Sequence, residues 1–215
     1  LMPTTYTVAA NGDDGYVTAR SSSYGSSPSS WIGITSSGNF VLAGCNGMDW
    51  DDYTTDYYLA WFRFNSVAAA QGATISSAYL KLAHSSLTST GTWKIGALDA
   101  DNSSAPSSAS DMNTTNWTTA RVDASNINSG MSSGDIWTSA DIKTVVQEVV
   151  NRAGWSSGNS LVICLGIYSG TSAVKSKKKT YEDSAPAQLV LDVAGGGGST
   201  PIAAISMNTY RQMRN

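Results

Sequence analysis

Apolar and polar residues alternate over short stretches along most of the chain. Ala78, Leu80 and Leu82 share one face of residues 78–82, and Tyr79 and Lys81 share the other, which is the period of a half-buried β-strand. Gly-, Asn-, Asp- and Ser-rich segments separate such stretches, an arrangement typical of a β-sandwich or jelly roll. The pattern predicts strands over residues 5–9, 15–20, 31–35, 57–64, 75–82, 92–98, 161–168, 179–182 and 188–193.

One segment departs from the strand period. Its apolar residues recur at helical spacing and would form one buried face: Ile142, Val145, Val146, Val149 and Val150. Thr138 with Asp141 resembles a capping box at the helix start, and Gly154 is a natural stop. We therefore expect a helix of about three turns that covers one edge or end of the sandwich.

The chain divides into three parts. Residues 1–194 form the predicted β-sandwich domain, residues 195–200 a flexible glycine-rich linker, and residues 201–215 a C-terminal arm. The arm is too short to bury its own apolar residues, so we expect it to anchor the protein on a partner. The candidate anchors are Ile202, Ile205, Met207, Tyr210, Arg211, Met213 and Arg214.

Composition narrows the classes of partner. Charged residues make up 13% of the chain, against about 25% in a typical soluble protein. The net charge of -3 at pH 7 supplies no basic field for nucleic acid. No apolar run reaches the roughly 18 residues of a membrane span, and the N-terminus lacks the basic and apolar regions of a signal peptide. We therefore expect neither a nucleic-acid nor a membrane partner.

Three segments carry a resemblance to a known family. Residues 59–64 (Leu-Ala-Trp-Phe-Arg-Phe), 72–75 and 78–82 resemble the central strand pair of DNRLRE-type domains. Residues 141–161, which run from the helix through Asn-Arg-Ala-Gly-Trp, are the stronger match, and residues 180–191 resemble the closing strands. The resemblance implies a jelly-roll β-sandwich, a fold found in secreted polysaccharide-handling proteins, cell-surface proteins and phage virion proteins. Some relatives are regarded as carbohydrate-binding modules. The hexapeptide that names the family is absent, so no ligand residues are carried over.

Residues with catalytic chemistry are few. His84 is the only histidine, and its place after a strand favours a surface position over a general base. The pattern Gly-x-Ser-x-Gly occurs at residues 130–134 and 154–158, but neither copy lies between a predicted strand and a predicted helix, as a nucleophile elbow does. The chain has no His-x-x-x-His spacing. Its carboxylates are scattered over loops, so none stands out as the pair that glycoside hydrolysis needs. The sequence predicts a non-enzymatic protein without a cofactor, apart from a possible structural Ca²⁺.

The densest acidic cluster spans residues 49–56. Asp49, Asp51 and Asp56 are candidate ligands for Ca²⁺, a hard cation that carboxylates and carbonyls hold. Asp13 and Asp14, in the turn at residues 11–15, are candidates for the same role. The alternative for both segments is a solvated loop, which is the commoner outcome.

Aromatic rings beside the same carboxylates suggest a glycan site. Sugars dock on exposed rings through their C–H faces, while carboxylates hold the hydroxyl groups. The candidate residues are Trp50, Tyr53, Asp51, Asp52 and Asp56, with Tyr57 and Tyr58 as further rings. In a β-sandwich, however, Trp and Tyr more often pack in the core or at its rim.

The single basic run consists of Lys175, Lys177, Lys178 and Lys179. It could meet an acidic partner surface or a phosphate. A charged edge strand or hairpin that prevents edge-to-edge aggregation is the commoner explanation. We therefore favour an exposed, structural role for these lysines.

The chain has two cysteines. Cys164 lies in the apolar run at residues 161–167, so we expect it to be a small buried core residue. A disulfide between Cys164 and Cys45 stays open at this point, because two cysteines do not define a disulfide framework.

Two functional classes remain. The first is a non-catalytic structural protein on a virion surface, such as a capsid decoration (cement) protein or a tail component. It would dock on other virion proteins through its arm, and we expect a homo-oligomer. The second is a carbohydrate-binding module of a secreted or cell-surface protein. The arm favours the first class, and with it a virion location.

Overall fold

Twelve β-strands and one α-helix account for the regular structure of the described chain. The structure, a computed structural model, describes residues 2–21, 30–36, 41–48, 55–86, 93–125, 127, 129–166 and 174–194; for residues 21, 41–48, 55, 56, 174 and 175 it describes the backbone alone. The strands are β1 (Thr4–Thr7), β2 (Asp14–Ser21), β3 (Ser30–Thr35), β4 (Val41–Met48), β5 (Thr55–Phe64), β6 (Ile75–Ser86), β7 (Trp93–Ala97), β8 (Val122–Ala124), β9 (Ile136–Thr138), β10 (Leu161–Gly166), β11 (Val174–Lys178) and β12 (Gln188–Val193). The helix is α1 (Lys143–Val150), and two short 3-10 helices lie at Ala109–Met112 and Thr114–Asn116.

The strands form two antiparallel sheets. The smaller sheet has the order β1-β12-β6-β9. In the larger sheet, β5 lies between β2 and β10, with β3 beyond β2 and with β7 and β8 beyond β10. β4 and β11 connect the two sheets, because β4 pairs with β5 while β11 pairs with both β4 and the C-terminal end of β6. The prediction of an all-β sandwich with one helix is confirmed.

The central strands β5 and β10 of the larger sheet are buried on both faces. Along β5, Ala60, Phe62 and Phe64 point into the main core, whereas Leu59 and Trp61 belong to a second apolar cluster. That second cluster includes Met112 and Trp117 from the segment of the 3-10 helices, which covers the outer face of the sheet, and the same alternation holds along β10. Burial on both faces explains why β5 and β10 read as nearly continuous apolar runs.

The predicted apolar face of the helix is confirmed, but its ends differ from the prediction. Ile142, Val145, Val146, Val149 and Val150 are all buried in the main core. The helix has only 8 residues, because Thr138 ends strand β9 instead of capping the helix. The Asp141 carboxylate accepts hydrogen bonds from the amides of Lys143 and Ala78, and so joins the helix start to β6.

Gly154 is not the helix stop that the sequence suggested. Asn151 is the C-cap, and Gly154 lies three residues beyond it. A Cβ at position 154 would overlap the carboxylate of Asp101. Arg152 binds that carboxylate at 2.6 Å and Asp99 at 2.6 Å, so the glycine leaves room for this ion-pair network.

Strand prediction failed in two ways. The strand predicted over residues 179–182 is wrong: that segment enters a turn, and the strand is β11, which ends at Lys178. β4, β8 and β9 were not predicted, because β4 is rich in glycine and small residues and the other two have only 3 residues each. The strand over residues 188–193 has the predicted bounds.

Cys164 occupies the predicted core position. It is fully buried in the second apolar cluster and is a free cysteine, so the disulfide alternative is wrong. Burial raises the pKa of the Cys164 thiol well above its usual value. A buried protonated thiol is chemically inert.

Candidate functional site

The predicted glycan and calcium residues fall on the connection between β4 and β5. The side chains of these candidates lie outside the described residues, so both sites stay predictions: Asp49, Trp50, Asp51, Asp52, Tyr53 and Asp56. The backbone of Asp56 lies in β5 opposite Arg20 of β2. Of the two further rings, Tyr57 is buried in the main core and is unavailable to a ligand, whereas Tyr58 is half-buried, with its ring centroid 6.0 Å from that of Tyr16.

The strand registers bring several interstrand connections to one end of the sandwich. Ser21 at the end of β2 and Met48 at the end of β4 both pair with Thr55, the first residue of β5. β10 is antiparallel to β5 and therefore runs toward the same end, where Gly166 pairs with Lys94 near the start of β7. β6 runs the same way, because β11 is parallel to β5 and antiparallel to β6. The connections at residues 22–29, 49–54, 87–92 and 167–173 thus leave the strands at one end, which we call the loop end.

All four of these connections contain Ser or Thr, and three of them contain Tyr or Trp. They read Ser-Ser-Tyr-Gly-Ser-Ser-Pro-Ser, Asp-Trp-Asp-Asp-Tyr-Thr, Leu-Thr-Ser-Thr-Gly-Thr and Ile-Tyr-Ser-Gly-Thr-Ser-Ala in chain order. Tyr and Trp among Ser and Gly are typical of antibody binding loops, where rings supply contact area and small polar residues supply hydrogen bonds. Sandwich domains commonly carry their binding residues on loops at one end. The loop end is therefore the candidate ligand-binding surface.

The C-terminal end of β12 lies at the opposite end of the sandwich. β12 is antiparallel to β6, and its last residue, Val193, pairs with Ile75, the first residue of β6. The amide of Ala194 then donates to the carbonyl of Thr74 at 2.8 Å. The predicted anchors lie outside the described residues, and their docking stays a prediction: Ile202, Ile205, Met207, Tyr210, Arg211, Met213 and Arg214.

Two basic residues predicted at the surface are buried instead. Lys178 is 1% exposed and His84 is 1% exposed, on the paired strands β11 and β6. The Lys178 ammonium donates to the carbonyl of Ile127 at 2.6 Å and lies 3.2 Å from His84 Nδ1. Burial lowers the pKa of Lys178 to about 7, and burial together with the Lys178 charge lowers the pKa of His84. β11 lies between β4 and β6 and is therefore not an edge strand. Among the lysines whose side chains are described, Lys178 is buried, whereas Lys177 and Lys179 are partly exposed.

Asp13 is fully engaged within the domain. One of its carboxylate oxygens accepts from Arg63 at 2.8 Å, and the other accepts from Asn65 at 2.9 Å. Arg63 also donates to the carbonyl of Ser103 and to the hydroxyl of Ser160. The network ties the turn before β2 to the end of β5, so Asp13 has a structural role here.

Asp14 has a different environment. It is 1% exposed, and only one carboxylate oxygen has a partner, the amide of Tyr181 at 3.1 Å. Its other oxygen and both oxygens of Glu182 are buried without a hydrogen-bond partner. Burial raises the pKa of Asp14 to about 7; the Tyr181 amide opposes the rise, and the nearby charges of Glu182 and Asp13 add to it. The sequence had suggested Asp14, but nothing local suggested Glu182, which the fold brings from the other end of the chain.

Within the described ranges, no three His, Cys, Asp or Glu side chains are grouped as a metal site. No helix in this part of the chain is long and apolar enough to span a membrane. Comparison with models of known families and with curated proteins finds no match to this chain. The DNRLRE-type resemblance therefore remains a hypothesis drawn from sequence.

Proposed function

We propose that the protein is a non-catalytic structural component of a virion surface, a capsid decoration protein or a tail component, which docks through its C-terminal arm. The observation behind this proposal is that the chain leaves β12 at the end of the sandwich opposite to the loop end. Ala194, which precedes the linker and the arm, lies beside Thr74, whereas the loop end lies at the far end of β6. A domain held by such an arm presents its loop end away from the docking surface.

The energetics of the arm suit docking on a repetitive shell. Burying one apolar anchor contributes roughly 1.5 to 3 kcal/mol, whereas ordering each backbone residue costs about 1 to 2 kcal/mol. A single short arm therefore binds weakly. Tethered copies on a multivalent surface act at a high effective concentration, so weak arms can hold together. This is the reason that we include a homo-oligomer in the proposal.

Deletion of residues 195–215 is expected to prevent attachment without unfolding the domain. The deletion leaves β12 intact, with its hydrogen bonds to β1 and β6, so the melting temperature should change by no more than a few degrees. Attachment is measured by co-sedimentation of the purified protein with virion particles that lack it. A full-length control with Ile205→Ser and Tyr210→Ser keeps the linker but loses two anchors, and it should bind more weakly than the natural chain. Unchanged co-sedimentation of the truncated protein would contradict arm-mediated docking, and unfolding would show that the arm belongs to the domain.

The second candidate function is glycan binding at the loop end. The placement of four connections at one end, three of which contain Tyr or Trp, favours it. Trp50→Ala or Tyr53→Ala should abolish binding on a glycan array while shifting the melting temperature little, because a ligand-stacking ring is not part of the core. Thr119→Ala, a substitution on an exposed residue outside the connections at the loop end, serves as the control. A collapse of the melting temperature in both ring variants would assign these rings to the core and count against the glycan site.

A further inference from the structure

Three buried carboxylate oxygens meet the start of β2 without a partner. They are one oxygen of Asp14 and both oxygens of Glu182. Asp14 is the first residue of β2, and Glu182 lies in the turn at residues 181–184 between β11 and β12. The amide of Tyr181 donates to the other oxygen of Asp14, which holds the turn against the strand.

The neighbouring cations do not neutralise this pair. The Arg63 guanidinium is bound to Asp13 at 2.8 Å, and the Lys179 ammonium is bound to Asp183 at 2.8 Å. Among the described residues, neither Asp14 nor Glu182 forms an ion pair, and each has a carboxylate oxygen that is buried without a partner. Buried charges normally pair with an opposite charge or coordinate a metal, since an unpaired one is costly.

We propose that Asp14 and Glu182 bind a divalent cation, with Ca²⁺ as the favoured ion. Glu182 has both oxygens available, as a bidentate ligand requires, and Asp14, on which the charge of Glu182 acts, has one available. Ca²⁺ takes about six to eight oxygen ligands in flexible geometry and often binds a bidentate carboxylate, whereas Mg²⁺ demands a stricter octahedron. Two carboxylates leave the other positions to backbone carbonyls and water. The site is separate from residues 49–56 and does not depend on the proposed function.

The position of the pair indicates what the cation does. β2 belongs to the larger sheet, whereas the turn at residues 181–184 leads into β12 of the smaller sheet. An ion between Asp14 and Glu182 would join the two sheets at a point where, without it, two like charges repel. Calcium should therefore stabilise the whole sandwich.

The test compares melting of the full-length protein, stripped of metal with EDTA, in rising concentrations of CaCl₂ or MgCl₂. At a roughly hundredfold excess of Ca²⁺ over its Kd, we expect the melting temperature to rise by about 5 to 10 °C, with a smaller rise in Mg²⁺. Glu182→Gln and Asp14→Asn should each abolish the response while raising the melting temperature of the metal-free protein, because each removes one of the repelling charges. The control is Asp123→Asn, which removes an exposed carboxylate paired with Lys94 and should keep the full response.

Two results would overturn the site. Identical melting of the natural protein in CaCl₂ and EDTA, with no terbium luminescence on titration with TbCl₃, would mean that the carboxylates share a proton in place of a cation. A calcium response of unchanged size in both Glu182→Gln and Asp14→Asn would mean that the ion binds elsewhere on the chain.

Discussion

The free energy of unfolding should increase by several kcal/mol between pH 7 and pH 10 through the titration of Lys178. Burial lowers the pKa of Lys178 to about 7 in the folded protein, compared with 10.5 for an unperturbed lysine. Between these two values the folded state has released the proton and the unfolded state still binds it, so stability rises with pH. Below pH 7 both states are protonated and the contribution of Lys178 levels off. The full effect is about 4 to 5 kcal/mol.

The titration of Lys178 can be separated from that of neighbouring groups by comparison with a variant that lacks this lysine. Its ammonium faces His84 Nδ1 and the carbonyl of Ile127, and the charge of Asp135 acts on His84. Urea unfolding at several pH values measures the effect as the difference between the natural protein and Lys178→Met. The variant loses the hydrogen bond to Ile127 but keeps the other titrating groups, so its stability should lack this rise with pH. Parallel pH profiles of the two proteins would show that Lys178 keeps its ordinary pKa.

Gly15→Ala is expected to destabilise the domain by about 3 kcal/mol, as overpacking of a rigid core does. A Cβ on Gly15 would overlap the carbonyl oxygen of Thr35 and the ring of Trp61. Neither can move easily, because Thr35 belongs to the β3 backbone and Trp61 is fully buried on β5 opposite Gly15.

Gly33→Ala is the matched control. Gly33 lies on β3, in the same part of the sheet, and a Cβ there would meet nothing within 4 Å. Its effect on the free energy of unfolding should stay within about 1 kcal/mol. Urea unfolding of both variants at one pH measures the difference. Equal effects would mean that β2 and β3 shift to accommodate a methyl group.

The local spacing of apolar and polar residues was sufficient to predict much of the fold. The period of two along β6 predicted Ala78, Leu80 and Leu82 as core residues, and all three are buried. The helical spacing of Ile142 and the four valines predicted the buried face of α1, because a face that must leave water repeats with the period of its own backbone. The ends of the helix were less predictable, because the Asp141 carboxylate accepts a hydrogen bond from an amide of β6 as well as from the helix.

The candidate site was less visible in the sequence. Asp13 and Asp14 are adjacent and look alike, yet Asp13 is neutralised by Arg63 and Asp14 faces Glu182. Which acid keeps a free oxygen depends on residues from β5 and from the turn before β12. The shared end of four connections likewise follows from strand order, which alternation does not specify.

The sequence by itself determined the class of fold and the buried face of the helix. Each of these depends on residues a few positions apart. Only the tertiary structure decided the burial of His84 and Lys178, the position of Glu182 near Asp14 and the opposition of the loop end to the C-terminal end of β12. Those features depend on which distant segments the two sheets bring together, and the energy of a buried charge is set by the neighbours that replace its water.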